Sequence, residues 1–154
     1  MSETLPWWQN GVIYQIYPKS FQDSTGSGTG DLNGIISRLD YLEKLGVSAL
    51  WLTPVYPSPQ IDNGYDVADY CAINPDYGTI ADFERLVEQA HQRGMRIVMD
   101  MVFNHTSTQH PWFVAAQDPA NEKHHFYIWR DGKADALPNN WRSKFGGDAW
   151  QWSE

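Results

Sequence analysis

The chain has 154 residues, of which 42% are hydrophobic and 19% are charged, a composition typical of one globular unit with a substantial core. Its 11 basic and 19 acidic residues give a net charge of −8, which argues against nucleic-acid binding. The chain has a single cysteine, Cys71, so an intramolecular disulfide is excluded, and we predict that Cys71 is a small core residue. The sequence shows no secretory leader and no run of about 18 consecutive apolar residues. We therefore predict a cytoplasmic protein with no membrane partner.

Three apolar segments are predicted to be buried strands, at residues 11–17, 47–53 and 97–102. Long loops with proline, glycine and asparagine follow the strands, whereas the connections that follow the helices are short. Because the loops after strands carry function in parallel α/β folds, we expect the functional residues at the C-terminal ends of these strands.

Two amphipathic helices are predicted between the strands. Asp31 is placed to cap the first helix and Gly46 to end it. Its predicted apolar face comprises Ile35, Leu39, Leu42 and Leu45. Thr79 and Asp82 have the spacing of a capping box for the second helix, which is expected to reach Gly94.

The alternation of strands and helices predicts βαβ units and a parallel sheet. Three strands do not close a (β/α)₈ barrel, which needs about 250 residues, so we expect the chain to be part of a longer protein. The pattern changes after His105. Residues 106–154 are loop-like and rich in aromatic residues, with a short helix predicted around 112–116, and they are interpreted as a second subdomain.

The glycine-rich loop at 23–31 has two alternative interpretations besides a tight structural loop. Its match to a phosphate-binding glycine loop is imperfect. Its oxygen-bearing side chains stand at alternate positions, as in a loop that binds Ca²⁺ or Mg²⁺. These are Asp23, Thr25, Ser27, Thr29 and Asp31. Because only two of them are carboxylates, the sequence favours the structural loop, and we predict no metal and no cofactor.

The DNGYD segment at 62–66 is a candidate sugar-binding loop. Its Asn-Gly pair favours a sharp turn that directs Asp62, Tyr65 and Asp66 to different sides. A carboxylate beside a phenol is able to hydrogen bond to sugar hydroxyls and to stack on a sugar ring. An ordinary surface turn is the alternative.

The MDMVFNH segment at 99–105 is a second candidate. Strand alternation predicts that Asp100, Val102 and Asn104 share one face, which would carry a carboxylate into the core layer of the sheet. His105 at the strand end is placed to donate to a ligand, although a single histidine is also common in a purely structural role.

Several ordered blocks of the sequence resemble the oligo-1,6-glucosidase branch of the α-amylase family of glycoside hydrolases. They are VIYQIYPKSF, GTGDLNGI, LGVSALWLTP, DNGYDVADY, MRIVMDMVFNHTS and PNNWRSKFGGDAW. The resemblance covers essentially the whole chain. It implies an α/β fold in which residues 1–105 form the N-terminal part of a (β/α)₈ TIM barrel, with its first three strands. Residues 106–154 would begin the subdomain inserted between strand three and helix three.

The resemblance also implies roles for individual residues. Asp62, Tyr65 and His105 match residues that bind the glucosyl unit at the cleavage point, and Asp100 matches one that supports the barrel core. Phe145 matches an aromatic residue of the pocket wall. The nucleophile and acid/base carboxylates of the family belong to segments that these 154 residues do not contain, so we expect binding residues and no catalytic pair in this chain.

Within the family, the YPKSF, SPQIDNGYD and NNWRSKFGG segments are most similar to members that cleave trehalose 6-phosphate to glucose and glucose 6-phosphate. This implies a sugar phosphate as the small-molecule partner. Lys144 and Arg142 are candidate phosphate ligands, with solvated surface charge as the alternative. The other functions considered are hydrolysis of short α-glucosides and sugar binding without catalysis.

Overall fold

The computed structural model describes residues 5–153. The chain divides into two compact units, Met1–His110 and Pro111–Glu154. The predicted boundary after residue 105 concerns the inserted subdomain of the family and stays a prediction. Among residues 5–153, no helix has both the length and the apolar character needed to cross a bilayer.

A three-stranded parallel sheet forms the centre of the first unit. Its strands are β1 (Ile13–Ile16), β2 (Ala49–Leu52) and β3 (Arg96–Met99). They pair in the order β1-β2-β3, with Ile16 opposite Leu52 and Leu52 opposite Met99. The C-terminal ends of all three strands therefore lie in one row, and the loops that follow them leave the sheet at the same edge.

The first unit also contains five helices among its described residues. These are α1 (Trp7–Asn10), α2 (Pro18–Phe21), α3 (Leu32–Ser37), α4 (Leu39–Leu45) and α5 (Ile80–Gln92). The prediction of one helix from Asp31 to Gly46 is wrong, because the chain leaves helical geometry at Arg38, where φ is −107° and ψ is 3°. The Ser37 hydroxyl donates to the Gly34 carbonyl at 2.7 Å, and the Arg38 N–H donates to the Ile35 carbonyl at 3.0 Å.

The predicted capping residues are confirmed. The Asp31 side chain accepts from the Gly34 N–H at 2.6 Å, and Gly46 ends α4 in the left-handed conformation with φ of 81°. Thr79 and Asp82 form a reciprocal capping box at the start of α5. These local signals therefore fix the start of α3, the end of α4 and the start of α5.

The core lies between the sheet and helices α3 to α5. Fully buried side chains from these elements include Ile16, Leu50, Leu52, Ile35, Leu39 and Leu86. Leu45, predicted on the apolar face, is 51% exposed. At 3.6 residues per turn it lies about 120° around the helix from Leu39. Cys71 is exposed, contrary to prediction, since it lies in the loop between β2 and α5, where its N–H donates to Asp69.

The second unit contains two short helical segments, α6 (Pro111–Ala116) and a 3₁₀ helix at Glu122–Phe126. The short helix predicted around 112–116 is confirmed. Aromatic contacts dominate this unit: Phe113 meets Tyr127 edge-on with 5.1 Å between centroids, and His124 stacks on Trp129 at the same distance.

We predict that Gly34→Ala destabilises the protein, although alanine favours a helix over glycine by about 0.5–1 kcal/mol. An added Cβ at this position would lie 1.8 Å from the carbonyl oxygen of Gln22, so the backbone would have to move. Thermal unfolding of the complete protein measures the effect. Lys44→Ala on the exposed side of α4 is the control and should leave the midpoint unchanged; an unchanged or raised midpoint for Gly34→Ala would contradict the prediction.

Candidate functional site

Three of the predicted site residues meet at the C-terminal ends of β2 and β3. The Tyr65 hydroxyl donates to Asp100 Oδ2 at 3.0 Å, across 35 residues of sequence. The His105 Nε2 lies 3.0 Å from the Tyr65 carbonyl oxygen. Two loops that are distant in sequence are thus joined by side-chain hydrogen bonds, and they present a phenol, a carboxylate and an imidazole at one place.

The protonation state of Tyr65 follows from this environment. Burial, the hydrogen bond to Asp100 and the charges of Asp100 and Asp62 raise the pKa of Tyr65 to about 12. The phenol therefore stays protonated at physiological pH. It acts as a permanent donor to Asp100 and does not serve as a base.

Asp62 and Tyr65 are carried by one sharp turn. Asn63 and Gly64 both have positive φ angles, of 52° and 98°, and the Tyr65 N–H donates to the Asp62 carbonyl at 3.0 Å. Asp62 is half-buried. The sharp turn that the Asn-Gly pair predicted is confirmed, and the sugar-binding role of Asp62 and Tyr65 stays a prediction.

Asp66 stabilises this turn from within, a role that the sequence did not reveal. Its carboxylate accepts from the Ser58 hydroxyl at 2.7 Å and from the N–H groups of Ile61 and Asp62 at 2.9 and 3.2 Å. Burial acts to raise the pKa of Asp66, but these hydrogen bonds outweigh it and lower the pKa below its usual value of 3.8. The charged side chain therefore closes its own loop and is not directed towards a ligand.

The segment after β3 is not a strand, which corrects the predicted location of Asp100. β3 ends at Met99, so strand alternation does not place Asp100, Val102 and Asn104 on one face. The partner strand β2 stops at Leu52, just before Pro54, which has no N–H to continue the ladder. Asp100 is half-buried and is paired with the Tyr65 hydroxyl, so its burial is compensated by a hydrogen bond.

His105 is exposed, and both of its ring nitrogens have protein neighbours. A carbonyl oxygen only accepts, so the contact with Tyr65 assigns the proton to Nε2. Nδ1 then accepts from the Asn104 side-chain amide at 3.1 Å. A sugar hydroxyl that accepts from His105 would compete with the Tyr65 carbonyl for this proton.

Tyr70 also contacts this segment, and nothing in the sequence singled it out. Its single hydroxyl proton is shared between the carbonyl oxygen of Val102 and, at 2.9 Å, that of His105. Such a contact depends on residues more than 30 positions apart, so no local pattern indicates it.

The candidate residues of the second unit lie on a turn of their own. Ser143 and Gly147 are joined by a backbone hydrogen bond of 3.1 Å, and the Arg142 guanidinium forms an ion pair with Asp148. Phe145 is 86% exposed. Lys144 is exposed too, and within the described part of the chain it makes no ion pair. The charge of Arg142 is thus neutralised locally, whereas the charge of Lys144 is not.

In the glycine-rich loop, the two aspartates accept hydrogen bonds from the loop itself. Asp23 accepts from the N–H groups of Gly28, Thr25 and Gly26 at 2.7 to 2.9 Å, and these bonds lower the pKa of Asp23 below 3.8. The N–H groups that a phosphate would need therefore donate to Asp23, which argues against a phosphate-binding loop. The expectation of no metal stays a prediction; among residues 5–153 no group of three or more His, Cys, Asp or Glu side chains is arranged to hold an ion.

Residues 15–154 match the model of the alpha-amylase catalytic domain. The chain is 70% identical over 146 residues to the trehalose-6-phosphate hydrolase of Escherichia coli, covering 95% of this chain, and 52% identical over 149 residues to the oligo-1,6-glucosidase of Bacillus cereus, covering 96%. A solved structure of a variant trehalose-6-phosphate hydrolase from Bacillus licheniformis is 56% identical, with a TM-score of 0.92 over 96% of this chain.

The chain spans only 26 to 27% of the length of these relatives. Its three parallel strands, in the order β1-β2-β3, are the arrangement of consecutive strands in a (β/α)₈ barrel, and the predicted fold class is confirmed. The match to the family model covers nearly all of the sequence, so the chain belongs to the alpha-amylase family, and residues 15–154 are part of its catalytic domain.

Proposed function

We propose that the complete protein containing this chain hydrolyses the α-glucosidic bond of trehalose 6-phosphate to glucose and glucose 6-phosphate. The observation that carries the proposal is the higher identity to a trehalose-6-phosphate hydrolase than to an oligo-1,6-glucosidase, 70% against 52%. The cluster of Tyr65, Asp100 and His105 supports it, because the bonds among these residues bring the proposed glucosyl ligands Tyr65 and His105 together.

In this proposal the chain binds and orients the sugar. On sugar binding, the His105 Nε2–H exchanges the Tyr65 carbonyl for a glucosyl hydroxyl, the Asp62 carboxylate accepts from another hydroxyl, and the Tyr65 ring lies against the sugar face. Two carboxyl groups outside these 154 residues lie about 5–5.5 Å apart: one attacks the anomeric carbon while the other protonates the leaving oxygen. The second group then takes a proton from water, which displaces the first carboxylate and gives retention of configuration. Such a mechanism needs no cofactor.

The phosphate of the leaving glucose requires a local cationic group, because the chain as a whole carries a net charge of −8. Lys144 is the stronger of the two candidates, since Arg142 is paired with Asp148. A charged sugar phosphate does not cross a bilayer unaided, so the enzyme would act in the cytoplasm, where such esters are held. Phe145, 86% exposed, would form part of the pocket wall.

Hydrolysis of isomaltose and other short α-glucosides is the second candidate. It is favoured by the 52% identity to an oligo-1,6-glucosidase across nearly the whole chain. Both functions use the same glucosyl-binding residues and differ on the leaving-group side, so substrate preference separates them. A sugar-binding protein without hydrolytic activity is the outcome if neither substrate is cleaved.

We predict that the complete protein prefers trehalose 6-phosphate to isomaltose and that Lys144→Ala raises KM for the phosphorylated sugar about tenfold or more. A charge-assisted hydrogen bond to phosphate contributes about 1.5–3 kcal/mol, and its loss should leave isomaltose kinetics unchanged. Arg142→Ala is expected to have the smaller effect because Asp148 already occupies the guanidinium. Lys133→Ala, another exposed lysine of the second unit, is the control. Equal effects on both substrates would reject the phosphate role.

We also predict that His105→Ala lowers kcat/KM at least about 100-fold, since a hydrogen bond that strengthens in the transition state is lost. The thermal midpoint should change little because His105 is exposed. His91→Ala, an exposed histidine on α5, is the matched control and should retain full activity. If the His105 variant unfolds and its remaining folded fraction is fully active, the residue is structural only.

A further inference from the structure

The Tyr70 hydroxyl lies between two carbonyl oxygens of the segment after β3. Its single proton is shared, as a three-centre hydrogen bond, between Val102 O and His105 O, the latter at 2.9 Å. The two carbonyls belong to residues three positions apart, so a single side chain fixes the backbone at both ends of this short stretch.

The ring of Tyr70 is itself held in place by its neighbours. Its centroid lies 5.7 Å from Tyr56, 6.3 Å from Phe103 and 5.7 Å from His110, with tilted geometry in each case. The ring also packs against the small core formed by Tyr56, Val67 and Val102. The position of the hydroxyl is therefore set by packing, and the ring would stay in place without it.

The segment that Tyr70 holds has no strand ladder of its own, because β3 ends at Met99. A tight turn follows, in which the Phe103 N–H donates to the Met101 carbonyl at 3.0 Å. His105 follows this irregular stretch, and its ring Nε2 lies 3.0 Å from the Tyr65 carbonyl oxygen. The direction of the imidazole thus depends on where the backbone carbonyl of His105 is anchored.

We propose that Tyr70 is a positioning residue: through its hydroxyl it fixes the backbone at His105 and so holds the imidazole beside Tyr65, at the proposed glucosyl site. The inference rests on the proposed function of His105 in sugar binding. Ligand groups must be held within about 0.5 Å of their productive position, and a displacement of about 1 Å is able to cost about 100-fold in rate. Loss of the hydroxyl alone should therefore act on catalysis through His105.

A double-mutant cycle tests this in the complete protein. Tyr70→Phe, His105→Ala and the double variant are compared by kcat/KM on trehalose 6-phosphate and by thermal midpoint. Tyr56→Phe is the matched control, since it also removes a phenol hydroxyl from this small core, one that contacts the sulfur of Met101.

We expect Tyr70→Phe to lower kcat/KM about tenfold when His105 is present. In the His105→Ala background the same substitution should lower kcat/KM less than about twofold, because the effects of substitutions at coupled residues do not add. Tyr56→Phe should change kcat/KM less than about twofold in either background. An equal loss from Tyr70→Phe in both backgrounds, or no loss in either, would overturn the proposal. The proposal would also be overturned if the loss of kcat/KM were fully explained by a smaller folded fraction, as indicated by a lowered thermal midpoint.

The same cycle separates this inference from the proposed function. If the wild type cleaves isomaltose and not trehalose 6-phosphate, the substrate proposal fails and the cycle is measured on isomaltose. If it cleaves neither, the cycle is measured on the Kd for glucose by calorimetry, where the same coupling is expected. A wild-type protein that does not bind glucose would reject the positioning role together with the proposed function.

Discussion

The hydrogen bond from the Tyr65 hydroxyl to the Asp100 carboxylate joins the loop after β2 to the segment after β3. A half-buried carboxylate needs such a partner, since an unpaired charge away from water is costly. The raised pKa of Tyr65 keeps the donor protonated, so the link persists across the physiological pH range. The position of His105 is tied to it, because the imidazole faces the backbone carbonyl of the residue that makes this bond.

Carboxylates also build the loops around this link. Asp23 accepts three N–H groups of its own glycine-rich loop, and Asp66 accepts from Ser58 and from the backbone before it. In both cases hydrogen bonds to the charged form lower the pKa of the aspartate. These two side chains serve as internal acceptors, which explains why an acidic residue at a strand-following loop is not by itself a sign of a ligand site.

The proposed binding roles divide between the two units. Asp62, Tyr65 and His105 of the first unit are proposed to bind the glucosyl group. Lys144 of the second unit is proposed to bind the phosphate of the leaving group. Such a division would let a shared glucosyl site serve several substrates within one family, with specificity set by residues on a separate element. It also makes the two roles separable by mutation.

Local sequence was sufficient for the caps and for the fold class. Asp31, Gly46 and the Thr79 capping box act within a few residues of themselves, and three apolar segments separated by amphipathic helices required a parallel sheet. The Asn63 turn was predictable for the same reason. The family resemblance depended on several short blocks in a fixed order, which a single sequence displays.

Only the tertiary structure decided where β3 ends, which side chain pairs with Asp100 and which residues contact His105. The break at Arg38 coincides with a hydrogen bond from the Ser37 hydroxyl to the backbone of the preceding turn, which a periodic hydrophobic pattern does not indicate. Tyr70 and Val102 are 32 residues apart, and Tyr65 and His105 are 40 apart. Contacts of this kind form when packing brings distant loops together, so the residues at each end carry no local sign of the partner they will meet.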